Sequence, residues 1–349
     1  MSKLQGGVLG VGHFGTRVLG LVWAGIALSY LVSASLLLAR SSSWTSVALG
    51  ASALSLLMCV LFWPEARIGS YIDVALLLVV LLFSRSGGDF LARSFAQELR
   101  EARLPKTPPA PEMVDEQAIA GLPESTKRYL RFMGAVGRPR DWALRAHFRA
   151  RFRREPGEWL DCEVFQYDTR LKVSRLFLMQ LSLKHVLPVT VRDTYLSGHG
   201  RMRAKAFDLF PVVDAQGHEL DVGELVTYLN DAILMAPSLL LGPETTWQEV
   251  DPTTFDVTLR DGSLSVKARV WLDERGAPQD FSTTDRFYDT PDGKRVRTEW
   301  RTPINGWQVV NGRRIPTSAA AVWQLPEGPF MYADFIMDPR EIAFNEPPL

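Results

Sequence analysis

Three long apolar runs open the chain. They cover residues 18–38, 44–63 and 68–83, and the first two carry no charged side chain. About 20 apolar residues in a helix cross the roughly 30 Å hydrocarbon core of a bilayer. The pattern therefore predicts a transmembrane module over residues 1–86 with three helices. The third helix is the shortest and contains Asp73.

The basic residues that flank these runs are unevenly distributed. Those on one side are Lys3, Arg17 and Arg67, and those on the other are Arg40, Arg85, Arg93, Arg100 and Arg103. Positively charged flanks favour the cytoplasmic side of a membrane. We therefore expect a multi-pass protein of the cell inner membrane whose large second part faces the cytoplasm.

Residues 87–120 form the predicted connection to that second part. They begin as an amphipathic segment and continue through the proline-rich "PKTPPAPE", which favours an extended spacer. A domain over residues 121–349 follows, and apolar residues at helical spacing predict its first helix over 124–133.

From residue 142 the period of the pattern changes to two. Apolar and basic residues alternate over 144–154, which predicts a strand with one apolar and one basic face. Asp261-Gly262 lies between two alternating runs and predicts a hairpin. Repeated turn sequences extend this to an antiparallel meander of roughly nine to eleven strands. The predicted fold class is α+β: the transmembrane module, then a curved antiparallel sheet, an incomplete barrel, with covering helices.

A second helix interrupts the strands at 222–234. Asp221 is predicted as its N-cap, with Glu224 at the third helical position, in a variant of the capping box. Leu225, Tyr228 and Leu229 lie on one stripe of this helix. We expect the two helices to act as plug and lid of the half-barrel.

The densest polar stretch, residues 191–231, raises the question of catalysis. The candidate catalytic residues are Asp193, Tyr195, His199, Asp214 and Glu219. An acid, a phenol and an imidazole on neighbouring strands can transfer protons if they converge. Asp193 and Tyr195 can equally satisfy an arginine inside a curved sheet, so no reaction is assigned.

Other chemistries lack their sequence signals. His199 and His218 are too far apart for a paired metal motif, and Cys59 and Cys162 are isolated from each other, so no metal and no cofactor are predicted. The formal net charge is zero, and the phenylalanines of 144–154 lie opposite its arginines. No nucleic-acid partner is therefore expected.

The polar stretch also carries a resemblance. "VRDTY" at 191–195, "VVDAQG" at 212–217, "ELDVGELVTYLND" at 219–231 and "RRIPTSAAAVWQLPEGPFMYADF" at 313–335 resemble an uncharacterised bacterial family of membrane-tethered proteins. The resemblance covers about residues 121–345 and transfers no catalytic residue. The order of elements is similar to that of lipoprotein carriers of the LolA type, whose curved half-barrel holds acyl chains on its concave apolar side. The membrane module departs from that type.

This resemblance implies a membrane-anchored binding module for a lipid or another hydrophobic small molecule. A membrane-bound enzyme with its site near 191–224, and a structural partner of another membrane protein, are the alternatives. The predicted ligand contacts are apolar or aromatic residues of the strands and the second helix: Phe148, Phe152, Tyr228, Leu229, Ile233, Val257, Leu259, Val266, Ala268 and Val270.

Overall fold

The computed structural model describes residues 13–38, 43–63, 66–86, 109–183, 187–206, 210–290, 292–338 and 341–347. The predicted amphipathic segment and the first half of the proline-rich spacer lie outside these ranges. The chain divides into two compact units, Met1–Ser94 and Phe95–Leu349.

The residues described in the first unit form three helices: α1 (His13–Leu38), α2 (Trp44–Leu61) and α3 (Arg67–Ser86). Among the described residues, two stretches have the length and hydropathy of a membrane span, Arg17–Leu38 and Trp44–Leu61. The prediction of three spans is corrected to two candidates. The third helix forms where predicted, but the polar residues Ser70 and Asp73 interrupt the apolar sequence of its first turns, and both are buried within the unit.

In the described part of the second unit there are two α-helices, α4 (Glu124–Met133) and α5 (His218–Met235), and a short 3₁₀ helix, Pro237–Leu240. The strands before α5 are β1 (Met113–Val114), β2 (Arg138–Pro139), β3 (Ala143–Phe152), β4 (Leu160–Thr169), β5 (Ser174–Leu183), β6 (Leu187–Leu196), β7 (His199–Ala206) and β8 (Phe210–Gln216). Those after it are β9 (Thr245–Asp251), β10 (Thr254–Asp261), β11 (Leu264–Leu272), β12 (Pro278–Thr283), β13 (Phe287–Asp289), β14 (Arg295–Arg297), β15 (Trp300–Arg301), β16 (Ile304–Val310), β17 (Arg313–Leu325), β18 (Gly328–Ile336) and β19 (Ile342–Phe344).

Within the described residues, fifteen of these strands form one antiparallel sheet. Its path runs from β8 through β3, β18 and β17 to β9, with β16 and β19 on side branches. The first and last strands of that path do not pair, so the sheet is an open one, in agreement with the predicted fold class. The estimate of nine to eleven strands was too low, because short strands share partners: β15 and β16 both pair with β17.

Alternation decides which face of the sheet is buried. Along β3, buried positions alternate with partly or fully exposed ones, and Leu144, Ala146, Phe148 and Ala150 point inward. Helix α5 packs against β5, β6, β7, β11 and β17, so the sheet surrounds it. Helix α4 begins and ends where predicted, and its Tyr129 hydroxyl donates to the carbonyl of Ile233 at 2.7 Å.

Helix α5 begins four residues earlier than predicted, at His218 after Gly217. Asp221 is therefore not its N-cap. Its carboxylate accepts the main-chain N–H of Gly200 at 2.7 Å, and Glu224 pairs with an arginine of the sheet. A Cβ atom at Gly200 would lie 2.3 Å from the carbonyl oxygen of Leu220. The glycine is thus required because helix and strand approach so closely.

Candidate functional site

A buried cluster of charged residues occupies one end of the concave face of the sheet. At its centre is Arg175 of β5. Its Nε lies 2.7 Å from Asp231 Oδ2, and its Nη1 lies 2.9 Å from Glu224 Oε2. Only 4% of the Arg175 side chain and 4% of the Glu224 side chain are exposed. Burial of this kind is rare for charged residues and requires close pairing.

Strand register and helix geometry bring these residues together. Arg175 pairs across the sheet with Asp168 of β4 on one side and with Tyr195 of β6 on the other. Directly opposed residues on antiparallel strands share a face. Glu224 and Asp231 lie seven residues apart on α5, which places them on the same side of the helix, two turns apart.

Acidic groups outnumber the central arginine. Burial raises the pKa of Asp168 well above its usual range, and the charge of Asp231 adds to this effect. Burial also raises the pKa of Asp231. Burial, followed by the charge of Glu224, raises the pKa of Asp193 to about 7. The cluster therefore holds protons near neutral pH that ordinary aspartates release.

Several polar atoms of the cluster have no hydrogen-bond partner among the described residues. They are Asp168 Oδ1, Asp193 Oδ1 and the Tyr228 hydroxyl. The second oxygen of Asp168 accepts from Gln166 Nε2 at 2.6 Å. Buried polar groups are nearly always paired, so a group of unpaired ones marks a place where further hydrogen bonds can form.

Asp193 lies at the edge of this cluster, among partly exposed residues on the same face of the sheet. It is partly exposed, and its neighbours across the concave face, Phe177 of β5 and Met202 of β7, are partly exposed as well. Arg286 lies near enough for its charge to lower the pKa of Asp193. We call Phe177, Asp193, Met202 and Arg286, with Tyr332, the concave cleft.

Aromatic rings surround Arg286 and Tyr332 in the concave cleft. The guanidinium of Arg286 lies 4.4 Å from the ring centre of Trp300. Trp300 Nε1 donates to the hydroxyl of Tyr332 at 3.1 Å, and the ring of Tyr332 meets Phe152 edge-on at 5.8 Å. No ion pair of Arg286 occurs within the described residues. The cleft thus presents an apolar wall, a cation and a carboxyl group that titrates near neutrality.

The predicted catalytic residues occupy separate places. Tyr195 is buried and its hydroxyl donates to Asp261 at 2.6 Å. His199 is 82% exposed, 3.7 Å from Asp221. Asp214 pairs with Arg201 at the surface, and Glu219 lies 3.7 Å from Arg295. Among the described residues no contact joins these side chains to one another or to Asp193, and no group of three metal-binding side chains occurs.

The predicted ligand contacts lie mainly in the core. All of them except Phe152 are buried and pack with one another in the main apolar cluster of the unit. Phe152 is partly exposed and lies beside the concave cleft. In this structure the other nine therefore contact protein side chains.

Sequence reasoning missed Gln166, Asp168, Arg175 and Arg286. A signal for three of them was present in the alternation. Gln166 and Asp168 are in phase with Val164 and Cys162 on β4, and Arg175 is in phase with the apolar residues of β5. A charge at the inward phase of a strand indicates a buried polar group. Nothing in the local pattern indicates Arg286, which lies between β12 and β13.

The chain belongs to a family of unknown function, DUF6544, whose model matches residues 112–335. This confirms the expected membership of an uncharacterised family. No curated protein sequence matches the chain.

Three solved structures are similar to the chain. An outer membrane lipoprotein-sorting protein domain from Vibrio parahaemolyticus has a TM-score of 0.32 at 10% identity, over 65% of this chain and 93% of its own. A LolA superfamily protein from Nitrosomonas europaea has a TM-score of 0.34 at 10% identity, and the match covers 64% of this chain and 94% of its own. A DUF1329 family protein from Desulfovibrio piger has a TM-score of 0.34 at 9% identity, and the match covers 67% of this chain and 94% of its own. The expected similarity to LolA-type structures is thus found, at TM-scores that transfer neither ligand nor function.

Proposed function

We propose that this member of the DUF6544 family is a membrane-anchored module that binds a hydrophobic ligand carrying one polar group. The observation that carries the proposal is the composition of the concave cleft. Phe177 and Met202 offer partly exposed apolar surface, and beside them the partly exposed Asp193 has one buried carboxyl oxygen that lacks a hydrogen-bond partner among the described residues. Small-molecule sites commonly combine an apolar wall with a few convergent polar groups.

The polar group of the ligand is expected between Asp193 and Arg286. A protonated Asp193 donates a hydrogen bond and an ionised one accepts, so a hydroxyl, amide or carboxyl group fits. Arg286 supplies a cation whose face is held by Trp300. Phe152 and Tyr332 extend the apolar wall. An acyl chain or another lipid-like body matches this surface.

Two candidate spans support the anchoring part of the proposal. We propose that they hold the protein in the inner membrane, with the second unit on the cytoplasmic side as the arginine bias favours. Resistance of the full chain to carbonate extraction tests the anchoring. Release into the supernatant contradicts it.

A cleft-filling substitution tests the ligand. The full chain is purified in mild detergent as wild type, Met202→Trp and Leu178→Trp, and native mass spectrometry with solvent extraction identifies bound molecules. Met202 faces the concave cleft, whereas Leu178, next to Phe177 on β5, faces the opposite side of the sheet and serves as the matched control. We expect a lipid-like mass on wild type and Leu178→Trp, and its loss from Met202→Trp. Absence of any such mass from wild type, or equal loss from both variants, contradicts the proposal.

A further inference from the structure

The second unit has a cavity whose lining includes no residue of the concave cleft. Its volume is about 670 Å³. Its lining comes from helix α4, the turn before β12, and strands β16 and β17: Arg128, Arg131, Phe132, Arg275, Gly306, Trp307 and Arg314. Four of these seven residues are arginines, and we call the site the arginine cavity.

Two of the four arginines are paired with carboxylates at the rim. Arg131 contacts both oxygens of Glu116, at 3.0 and 2.7 Å. Arg275 contacts Oδ2 of Asp273 through two nitrogens, at 3.0 and 2.8 Å. These pairs are exposed and therefore hold their partners weakly.

The other two arginines have no ion pair within the described residues. Arg128 donates to the main-chain carbonyls of Glu274, at 3.4 Å, and of Pro252. Arg314 donates to the main-chain carbonyl of Phe132. A carbonyl orients a guanidinium without neutralising it, so the cavity retains positive charge from both residues.

The aromatic residues of the cavity fix the position of this charge. The guanidinium of Arg314 lies 4.5 Å from the ring centre of Phe132, and that of Arg275 lies 5.9 Å from it. Trp307 meets the same ring edge-on at 5.4 Å. A guanidinium that stacks through its face keeps N–H groups at its edge for an anion. These arginine side chains are thereby partly ordered before an anion binds, so binding loses less conformational entropy.

We propose that the arginine cavity binds a phosphoryl group. Guanidinium groups from helix, turn and strand surround one space, and the oxygens of a phosphate can accept hydrogen bonds from several directions at once. The phosphoryl group belongs either to a free phosphorylated metabolite or to a phospholipid headgroup. Both sources offer the same anion, and the experiment separates them.

Calorimetric titration of the full chain in uncharged detergent tests this site. The probes are glycerol 3-phosphate and dihexanoyl phosphatidylglycerol below its micelle concentration, at constant ionic strength. The variants are Arg275→Gln and, as a matched control, Arg201→Gln. Arg201 also forms an exposed two-point pair, with Asp214, but lies outside the cavity.

We expect saturable binding of at least one probe, weakened about tenfold by Arg275→Gln and unchanged by Arg201→Gln. Saturation by glycerol 3-phosphate identifies a free metabolite as the source, and saturation by the lipid alone identifies a headgroup. Binding of neither probe, or equal weakening in the two variants, overturns the proposal. Unchanged melting temperatures of both variants exclude unfolding as the cause.

Discussion

Two arginine–carboxylate contacts in this protein have nearly the same geometry in opposite surroundings. Arg175 lies 2.7 and 2.9 Å from its two acidic partners, and Arg201 lies 2.8 and 2.7 Å from the oxygens of Asp214. The Arg175 side chain is 4% exposed, whereas those of Arg201 and Asp214 are 44% and 50% exposed. Distance alone therefore does not distinguish them.

The pKa values of the aspartates in the two regions are shifted in opposite directions. The hydrogen bonds from Arg201 lower the pKa of Asp214. In the buried cluster, loss of hydration outweighs the attraction of Arg175 and raises the pKa of Asp231 and Asp193. The comparison shows that burial, and not the presence of an arginine, sets the protonation of an aspartate here.

A buried charge cluster is a poor device for stability. Well-packed apolar residues of similar volume often match or exceed it, because desolvation offsets the ionic attraction. One carboxyl oxygen each of Asp168 and Asp193 lacks a hydrogen-bond partner in the described part of the chain, which adds to the cost. The ligand binding that we propose beside Asp193 would give this cluster a role other than stability.

Removing the central cation gives the largest expected effect. Arg175→Met leaves Glu224 and Asp231 buried without their partner, and we expect a loss of about 3–5 kcal/mol in the free energy of unfolding. Differential scanning calorimetry of the full chain in detergent measures the corresponding fall in melting temperature. Combining Arg175→Met with Glu224→Gln and Asp231→Asn should recover much of it. A shift no larger than that of Arg201→Gln contradicts this account of the cluster.

Asp193→Asn changes the pH dependence of stability by a smaller amount. The pKa of Asp193 is about 7 in the folded protein and about 3.9 when unfolded. The folded state therefore holds the proton more tightly. The resulting stabilisation is complete below about pH 4 and is lost as the pH rises to about 7. Because the residue is partly exposed, we expect only about 1–2 kcal/mol.

The measurement is the melting temperature from pH 4.5 to 8 for both proteins. Wild type should lose stability across this range, and Asp193→Asn should show a shallower slope. Equal slopes for the two proteins contradict the assignment of this proton to Asp193.

Sequence patterns predicted the elements of this protein better than its site. Alternation over residues 144–154 and the Asp261-Gly262 turn gave β3 and the β10–β11 hairpin, because local period and turn chemistry determine them. Helix α4 was located to the residue. The prediction of Asp221 as the N-cap was wrong, because the Asp221 carboxylate accepts a hydrogen bond from the main-chain N–H of Gly200, twenty-one residues away in the chain.

The site depends on contacts that no local pattern contains. Asp168 and Asp231 lie on different elements, and both act on Arg175 through tertiary packing. Arg286 reaches the same cluster from a connection near the other end of the sheet path. The pairing of distant strands decides such contacts. A charge at the inward phase of a strand was the one clue within the sequence.

The smallest effect is expected at the surface pair. Asp214→Asn removes a charge from an exposed contact, and screening by water and salt limits the loss to below about 0.5 kcal/mol at neutral pH. The lowered pKa of Asp214 means that its contribution is present above an unfolded pKa of about 3.9 and disappears as the pH falls through the folded value. Melting temperatures in 20 mM and 500 mM salt, roughly spanning weak to strong screening, should bring variant and wild type together at the higher concentration. The difference caused by Arg175→Met should persist there, because a buried cluster is little screened. If high salt abolished the melting-temperature differences of both variants equally, burial would not explain the different behaviour of the two regions.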